Sequence, residues 1–309
     1  ELFNQFQYSQ ESALPPDALR FALAEAFSDQ RRFQLGFMDD AAECFENILL
    51  RIHCHIANQD SEEMCNVTHC LQHCIPHQKF AMNLIEQIIC HSCGATSEPF
   101  PFTQMVHYVS TPALCAQAKQ YDYEIGMTFG ELLKSAGAVG DIRDCPNSCG
   151  ARIQIKKSLI NKPDIVSIGL VWDSERPTIN HIMDVFRAIG TTLRLPDVFD
   201  TVSECRGAVS TVLQLVGLVT YYGKHYSTFF FHTKLREWIY FDDAAVRAIG
   251  PHWEQVVDKC IRGHFQPLLL LYANPNGTPV NTENAPKEVT PLVVNKNNRR
   301  SYLSPLQPK

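Results

Sequence analysis

Early in the chain, apolar positions recur every three or four residues; further on they gather into short blocks. The pattern therefore passes from helical to strand-like along the sequence. Pro15-Pro16-Asp17 marks a helix start within residues 10–27, followed by Ala, Leu and Phe at helical spacing. Asp39-Asp40 predicts the cap of a second helix, with Cys44, Phe45, Ile48, Leu49 and Ile52 on one apolar stripe and Cys54 at its end. Residues 59–77 are polar, rich in cysteine and histidine, and read as loop. After an apolar stretch over 79–89, strands are predicted over 104–110, 151–159, 165–172, 213–220, 225–231 and 266–272. Helices are predicted over 131–136 and 253–262. From Asn274 onward the Pro/Asn/Thr-rich composition has no period and predicts a disordered tail. Mixed strands and helices with late antiparallel hairpins predict an α+β fold.

Composition narrows the class. A chain of 309 residues with 45% apolar content can bury one large core or two small ones. A net charge of −6 argues against a nucleic-acid surface. No stretch approaches a membrane span, and no charged-then-apolar leader opens the chain. The first residue is Glu1 rather than methionine, so the expectation is a piece of something longer. Twelve cysteines, several in close pairs near histidines, point to metal in a reducing, cytoplasmic compartment rather than to a disulfide scaffold. The triplets Asn66-Val67-Thr68 and Asn276-Gly277-Thr278 match glycosylation acceptors but carry no meaning in the cytosol.

The strongest chemical signal is a pair of aromatic-rich strands. Gly223-Lys224-His225-Tyr226 opens the first, and Trp238-Ile239-Tyr240-Phe241-Asp242-Asp243 closes the second. With Thr233-Lys234-Leu235-Arg236-Glu237 as the turn, His225 and Asp242 are predicted to stand directly opposite each other. A carboxylate in that position holds an imidazole in the tautomer that deprotonates a nucleophile. A structural histidine beside a turn aspartate fits the same pattern.

Cysteine spacing carries the second signal. Cys90 and Cys93, with Gly94 behind them, form one knuckle, and Cys145 and Cys149 supply a second, wider pair. Four converging thiolates predict a closed, structural zinc ribbon whose binding energy is also folding energy; unpaired buried thiols are the alternative. His53, His55, Cys65, His69, Cys70, His73, Cys74 and His77 offer ligands for a second zinc, without a spacing that selects four of them.

These features together resemble the ubiquitin-specific proteases, papain-like deubiquitinases with thumb, palm and fingers subdomains. The resemblance rests on the Gly-x-His-Tyr strand with its later Phe-Asp-Asp, on the split cysteine pairs, and on Met38-Asp39-Asp40-Ala41-Ala42-Glu43-Cys44-Phe45. It implies a catalytic domain over residues 1–279: a thumb remnant over 1–57, fingers and connections over 58–160, an antiparallel palm over 161–279, and a tail over 280–309. By resemblance His225 is the general base and Asp242 its orienting carboxylate, with Asp243 secondary. Asp40 and Glu43 match positions that receive the arginines of ubiquitin's C-terminal tail. Cys90, Cys93, Cys145 and Cys149 match the fingers zinc site. The implied partner is ubiquitin or polyubiquitin, including lysine-63-linked chains, and neither nucleic acid nor membrane. Lys224 departs from the family by standing where many members have a second glycine, and Leu170-Val171-Trp172-Asp173 replaces the usual Leu-Lys-Arg-Phe palm strand.

The nucleophile is the largest departure. In the family it lies in a Cys-Phe-Leu-Asn-Ser type box at a helix start ahead of the Asp40 helix, where the thiol is activated. Nothing between Glu1 and Phe37 resembles that box, and Cys44 is the first cysteine. Cys44, Cys54, Cys115, Cys205 and Cys260 lack an activating context. The expectation is a deubiquitinase domain whose 309 residues lack thiol-protease activity by themselves. A ubiquitin-binding pseudoenzyme and a zinc-ribbon scaffold with unrelated partners are the other readings.

Overall fold

Residues 8–10, 14–57, 70, 73–121, 126–202, 211–243 and 245–278 are described by a computed structural model of the chain. The predicted tail from residue 280 and most of the predicted 59–77 loop lie outside the described residues.

Helix α1 (Asp17–Ala26) starts directly after Pro16, as the Pro-Pro-Asp signal predicts. Helix α2 (Ala41–Ala57) begins where the Asp40 carboxylate accepts the Glu43 backbone N–H at 2.9 Å, satisfying one of the donors a helix start leaves open. Arg51 joins the two helices by donating to the Ala26 carbonyl at 2.9 Å. Its guanidinium also lies 4.4 Å from the centre of the Phe27 ring. The buried face of α2 runs through Ala42, Leu49 and His53, whereas Ile52 is 38% exposed and leaves the predicted stripe. Cys54 is not the end of the helix, which continues to Ala57. The polar 59–77 segment also ends in structure: α3 (Ile75–Lys79) starts at Cys74, with Pro76 in its first turn where a missing N–H costs nothing.

One sheet orders its strands β2 (Phe100–Gln104), β1 (Met82–Gln87), β6 (Lys156–Leu159) and β9 (Thr201–Val202). A separate ribbon pairs β4 (Ile142–Asp144) with β5 (Arg152–Gln154). The predicted 151–159 strand is thus split at Ile155, between β5 and β6. Likewise, 104–110 is not one strand. β2 ends at Gln104, Met105 and Val106 are both buried, and β3 (His107–Ser110) joins a different sheet.

That larger sheet is built from β3, β7 (Ile165–Val171), β10 (Val212–Tyr222), β11 (His225–His232), β12 (Glu237–Asp242), β13 (Ala245–Gly250) and β14 (Gln266–Ala273). Their order is β13-β12-β11-β10-β14-β7-β3, and β8 (Thr192–Arg194) pairs with β10 beside this path. Every pairing is antiparallel except β3 with β7. Strand β14 is apolar without alternation because both its faces are covered. Leu270 and Tyr272 join the main core, while Leu269 packs with Ala42 of α2 and Val106 on the other side.

Helices α4 (Thr111–Tyr121), α5 (Phe129–Ala138), α6 (Ile179–Ala188), α7 (Leu195–Val198) and α8 (Trp253–Gly263) contribute Leu114, Leu133, Val185, Leu195 and Val256 to that main core. Helix α5 begins with a reciprocal cap, in which Thr128 accepts the Glu131 N–H and Glu131 accepts the Thr128 N–H. Among the described residues no helix is long and apolar enough to cross a membrane.

Candidate active site and metal centres

His225 is the first residue of β11, and two tight turns determine where it points. Gly223 and Lys224 form a two-residue loop between Tyr222 and His225, both with left-handed backbone (φ 58° and 67°). This is the primed hairpin turn that matches strand twist. Lys224 takes the second left-handed position, at the steric cost a side chain carries there. At the other end, His232 pairs with Glu237, and Thr233 to Arg236 form the loop, with Arg236 left-handed at φ 57°.

That loop corrects the predicted register. Thr228 stands across from Phe241, so continuing one step sets Asp242 across from Ser227 and not from His225. His225 lies two residues along on the same face, within the diagonal reach of an antiparallel pair. The two side chains still meet, His225 Nε2 lying 2.5 Å from Asp242 Oδ1. Asp242 Oδ2 in turn accepts the Tyr240 hydroxyl at 3.1 Å. The hydrogen bond from His225 holds the Asp242 carboxyl below its ordinary range, with burial opposing and Tyr240 assisting. With Nε2 turned to Asp242, Nδ1 is the ring nitrogen left to exchange a proton with another group. Tyr240 was not singled out by sequence; its signal is the alternation Trp238, Tyr240, Asp242 on one strand face. A ligand atom of Asp243, in the turn after β12, lies within 4.8 Å of those of His225 and Asp242.

A cleft of about 390 Å³ opens between the start of α2 and the larger sheet; Tyr226, the residue after His225, lines it, whereas His225 and Asp242 do not. Asp39, Asp40, Tyr108, Trp172, Tyr221 and Tyr226 are among the residues lining it. The Tyr226 hydroxyl donates to the Asp39 carbonyl at 2.9 Å, tying the strand that bears His225 to the start of α2. Asp40 thus both faces the cleft and caps the helix. Glu43 is held differently: its carboxylate is paired with the Arg32 guanidinium.

The thiols of Cys44, Cys115 and Cys260 are held in their protonated, unreactive form. Burial raises the Cys44 thiol, and Asp39, Asp40 and Glu43 raise it further. Burial also pushes Cys115 up to about 11 and raises Cys260 further. Cys205 lies outside the described residues.

The four predicted ribbon cysteines converge. Cys90 and Cys93 flank a turn closed by Gly94, whose φ of 74° requires left-handed backbone, and Cys145 and Cys149 sit at the tip of the β4–β5 ribbon. Sulfur atoms of Cys90 and Cys149 lie 3.7 Å apart, and those of Cys93 and Cys145 lie 3.4 Å apart. A tetrahedral zinc with Zn–S bonds of about 2.3 Å requires S–S edges of about 3.8 Å, so the donor set fits. Backbone N–H groups aimed at the sulfurs, from Cys149 towards Cys145 and from Cys93 towards Cys90, hold these two thiols below their ordinary range, Cys145 at about 6.

Of the second group of candidate ligands, His53, Cys70, Cys74 and His77 come together, with their ligand atoms all within 4.8 Å of one another. His55 is exposed and His73 is not among the four, while Cys65 and His69 lie outside the described residues.

Comparison with known proteins adds the lineage. The chain is 57% identical over 289 residues to ubiquitin carboxyl-terminal hydrolase 54 of Mus musculus, covering 92% of this chain and 18% of that protein. It is 51% identical over 292 residues to ubiquitin carboxyl-terminal hydrolase 53 of Homo sapiens, covering 93% and 27%. The chain therefore spans between about a fifth and a quarter of these relatives' length. Among solved structures it is similar to the Ubp8-containing SAGA DUB module bound to monoubiquitin, with 16% identity, a TM-score of 0.52, and coverage of 86% of this chain and 54% of that one. A second structure of the Ubp8 module gives a TM-score of 0.54 at 16% identity, covering 90% and 57%, and this likeness establishes the ubiquitin-specific-protease type of α+β fold. The profile of the ubiquitin carboxyl-terminal hydrolase family matches residues 1–274, and the chain belongs to that family.

Proposed function

We propose that this chain forms the base-and-cleft part of a cysteine-type deubiquitinase, which hydrolyses the bond after the C-terminal glycine of ubiquitin. The observation that carries the reading is the His225–Asp242 pair at 2.5 Å, its histidine next in sequence to Tyr226, which ties this strand to the start of α2. In the reaction, a thiol S–H proton passes to His225 Nδ1, and the thiolate attacks the glycine carbonyl. The C–N bond then breaks, and the imidazolium returns its proton to the leaving amine. Water, deprotonated by the same nitrogen, hydrolyses the thioester and regenerates the thiol. Asp242 orients the ring and stabilises its charged form. Asp40, and Glu43 once released from Arg32, supply carboxylates for the basic ubiquitin tail. A zinc on Cys90, Cys93, Cys145 and Cys149 would hold the fingers together, taking no part in the reaction. The thumb, fingers and palm division, ubiquitin as partner, lysine-63-linked chains as substrate and a cytoplasmic location belong to this reading.

Outside the ribbon, burial raises the Cys44, Cys115 and Cys260 thiols, which favours a second reading: ubiquitin binding without cleavage. Reaction with a ubiquitin bearing a C-terminal electrophile, on this chain and on one extended upstream with the relatives' sequence, separates them. The hydrolase reading expects labelling and turnover by the extended chain alone. It expects His225→Ala there to lower kcat at least about 100-fold while ubiquitin affinity stays within about threefold. Retained turnover in that variant removes His225 from the mechanism.

A further inference from the structure

The C-terminal end of α2 faces the short helix α3 across a cluster in which two imidazoles meet two thiols. His53 Nδ1 lies 3.4 Å from Cys74 Sγ and 3.4 Å from Cys70 Sγ, and Cys74 Sγ lies 3.5 Å from His77 Nδ1. Zinc bonds of about 2.3 Å to sulfur and about 2.05 Å to nitrogen place tetrahedral S–N edges at about 3.6 Å. The three measured separations match that edge. His53, Cys74 and His77 are 4%, 0% and 8% exposed, and Cys70 is partly buried.

Burial makes this arrangement informative. A thiol is a weak hydrogen-bonding partner, and two imidazoles withdrawn from water beside two thiols recover little of their lost hydration from sulfur. A divalent cation at their centre would recover it. Local backbone also suits ligation: Cys74 caps α3 and His77 lies in its following turn, so their side chains share one side of a single helical turn. His53 reaches them from α2, four residues beyond Leu49, which packs against Met105 and against Ala81 just past α3.

We propose that His53, Cys70, Cys74 and His77 form a second, structural zinc site that fastens the end of α2 to α3. It is separate from the four-cysteine ribbon, and it stands whether or not the chain hydrolyses ubiquitin. With four protein ligands the coordination shell is closed, so its role is structural.

Metal analysis of the purified 309-residue chain under reducing conditions tests this. Two zinc ions per chain are expected, falling to one in Cys74→Ser/His77→Ala and remaining at two in Cys65→Ser/His69→Ala. Cobalt substitution of Cys90→Ser/Cys93→Ser is expected to leave one tetrahedral ion, with thiolate charge-transfer absorption about half that of a four-thiolate site. A single zinc in the wild-type chain overturns the proposal, even if every variant fails to fold. So does loss of the second ion in Cys65→Ser/His69→Ala, or a Cys70–Cys74 disulfide found by mass spectrometry in place of the metal.

Discussion

At the scale of single residues, the candidate site depends on a contact made along a diagonal. Asp242 reaches His225 from across Ser227, and Tyr240 holds its second oxygen. Because the folded carboxyl sits below its ordinary range, its ionised form stabilises the fold above the unfolded value of about 3.9. That contribution is lost as pH falls through the lower, folded value. Asp242→Asn should therefore lower stability in urea at pH 7, with the difference from wild type shrinking below about pH 4; a pH-independent difference would contradict the linkage. The pairing of His225 with Asp242 was legible in the sequence, but its register was not. The loop is centred between Lys234 and Leu235, with no glycine or asparagine to flag it, and Arg236 takes the left-handed position. The Arg32–Glu43 pair was equally hidden, since it joins residues on separate elements.

At the scale of elements, the β10–β11 hairpin aims the histidine. Its two-residue loop asks for left-handed backbone twice and receives one glycine and one lysine. Lys224→Gly should raise stability by about 0.5–1 kcal/mol, the left-handed penalty outweighing the entropy that glycine adds to the unfolded chain. Urea unfolding measures this, and an unchanged or lowered midpoint would show that the loop carries no such penalty. Strong local signals made several elements readable: Pro16 before α1, Asp40 before α2, and the apolar run of β14. Helices α4 and α6 were missed although each has a starting signal, Thr111-Pro112 in one and Thr178 in the other. Helix α4 continues directly from β3, and α6 follows the buried apolar run of β7, so the strand signals dominate the reading. The metal ligands show the same division: paired spacing singled out the ribbon cysteines, whereas His53 needed a fold to bring it to Cys70, Cys74 and His77.

For the molecule as a whole, strand order is the property that local pattern does not carry. Strands β7, β10 and β14 are separated by long stretches of chain, yet β14, the last of them, lies between the other two. Leu269, Leu270 and Tyr272 of that strand are almost fully buried. A chain ending at residue 264 should therefore lack cooperative unfolding and near-ultraviolet dichroism, while retaining part of its helical far-ultraviolet signal. Cooperative melting by that shortened chain would mean that the sheet can close without its central strand.

The position of β14 also sets an order of events during synthesis. A ribosome making this chain releases both flanks of the sheet before the piece that seals them, so β7 and β10 emerge with unpaired edges towards the vacant centre. Until residue 273 leaves the exit tunnel, those edges are open to other strands and to chaperones, and this sheet is at its most vulnerable just before its central strand arrives.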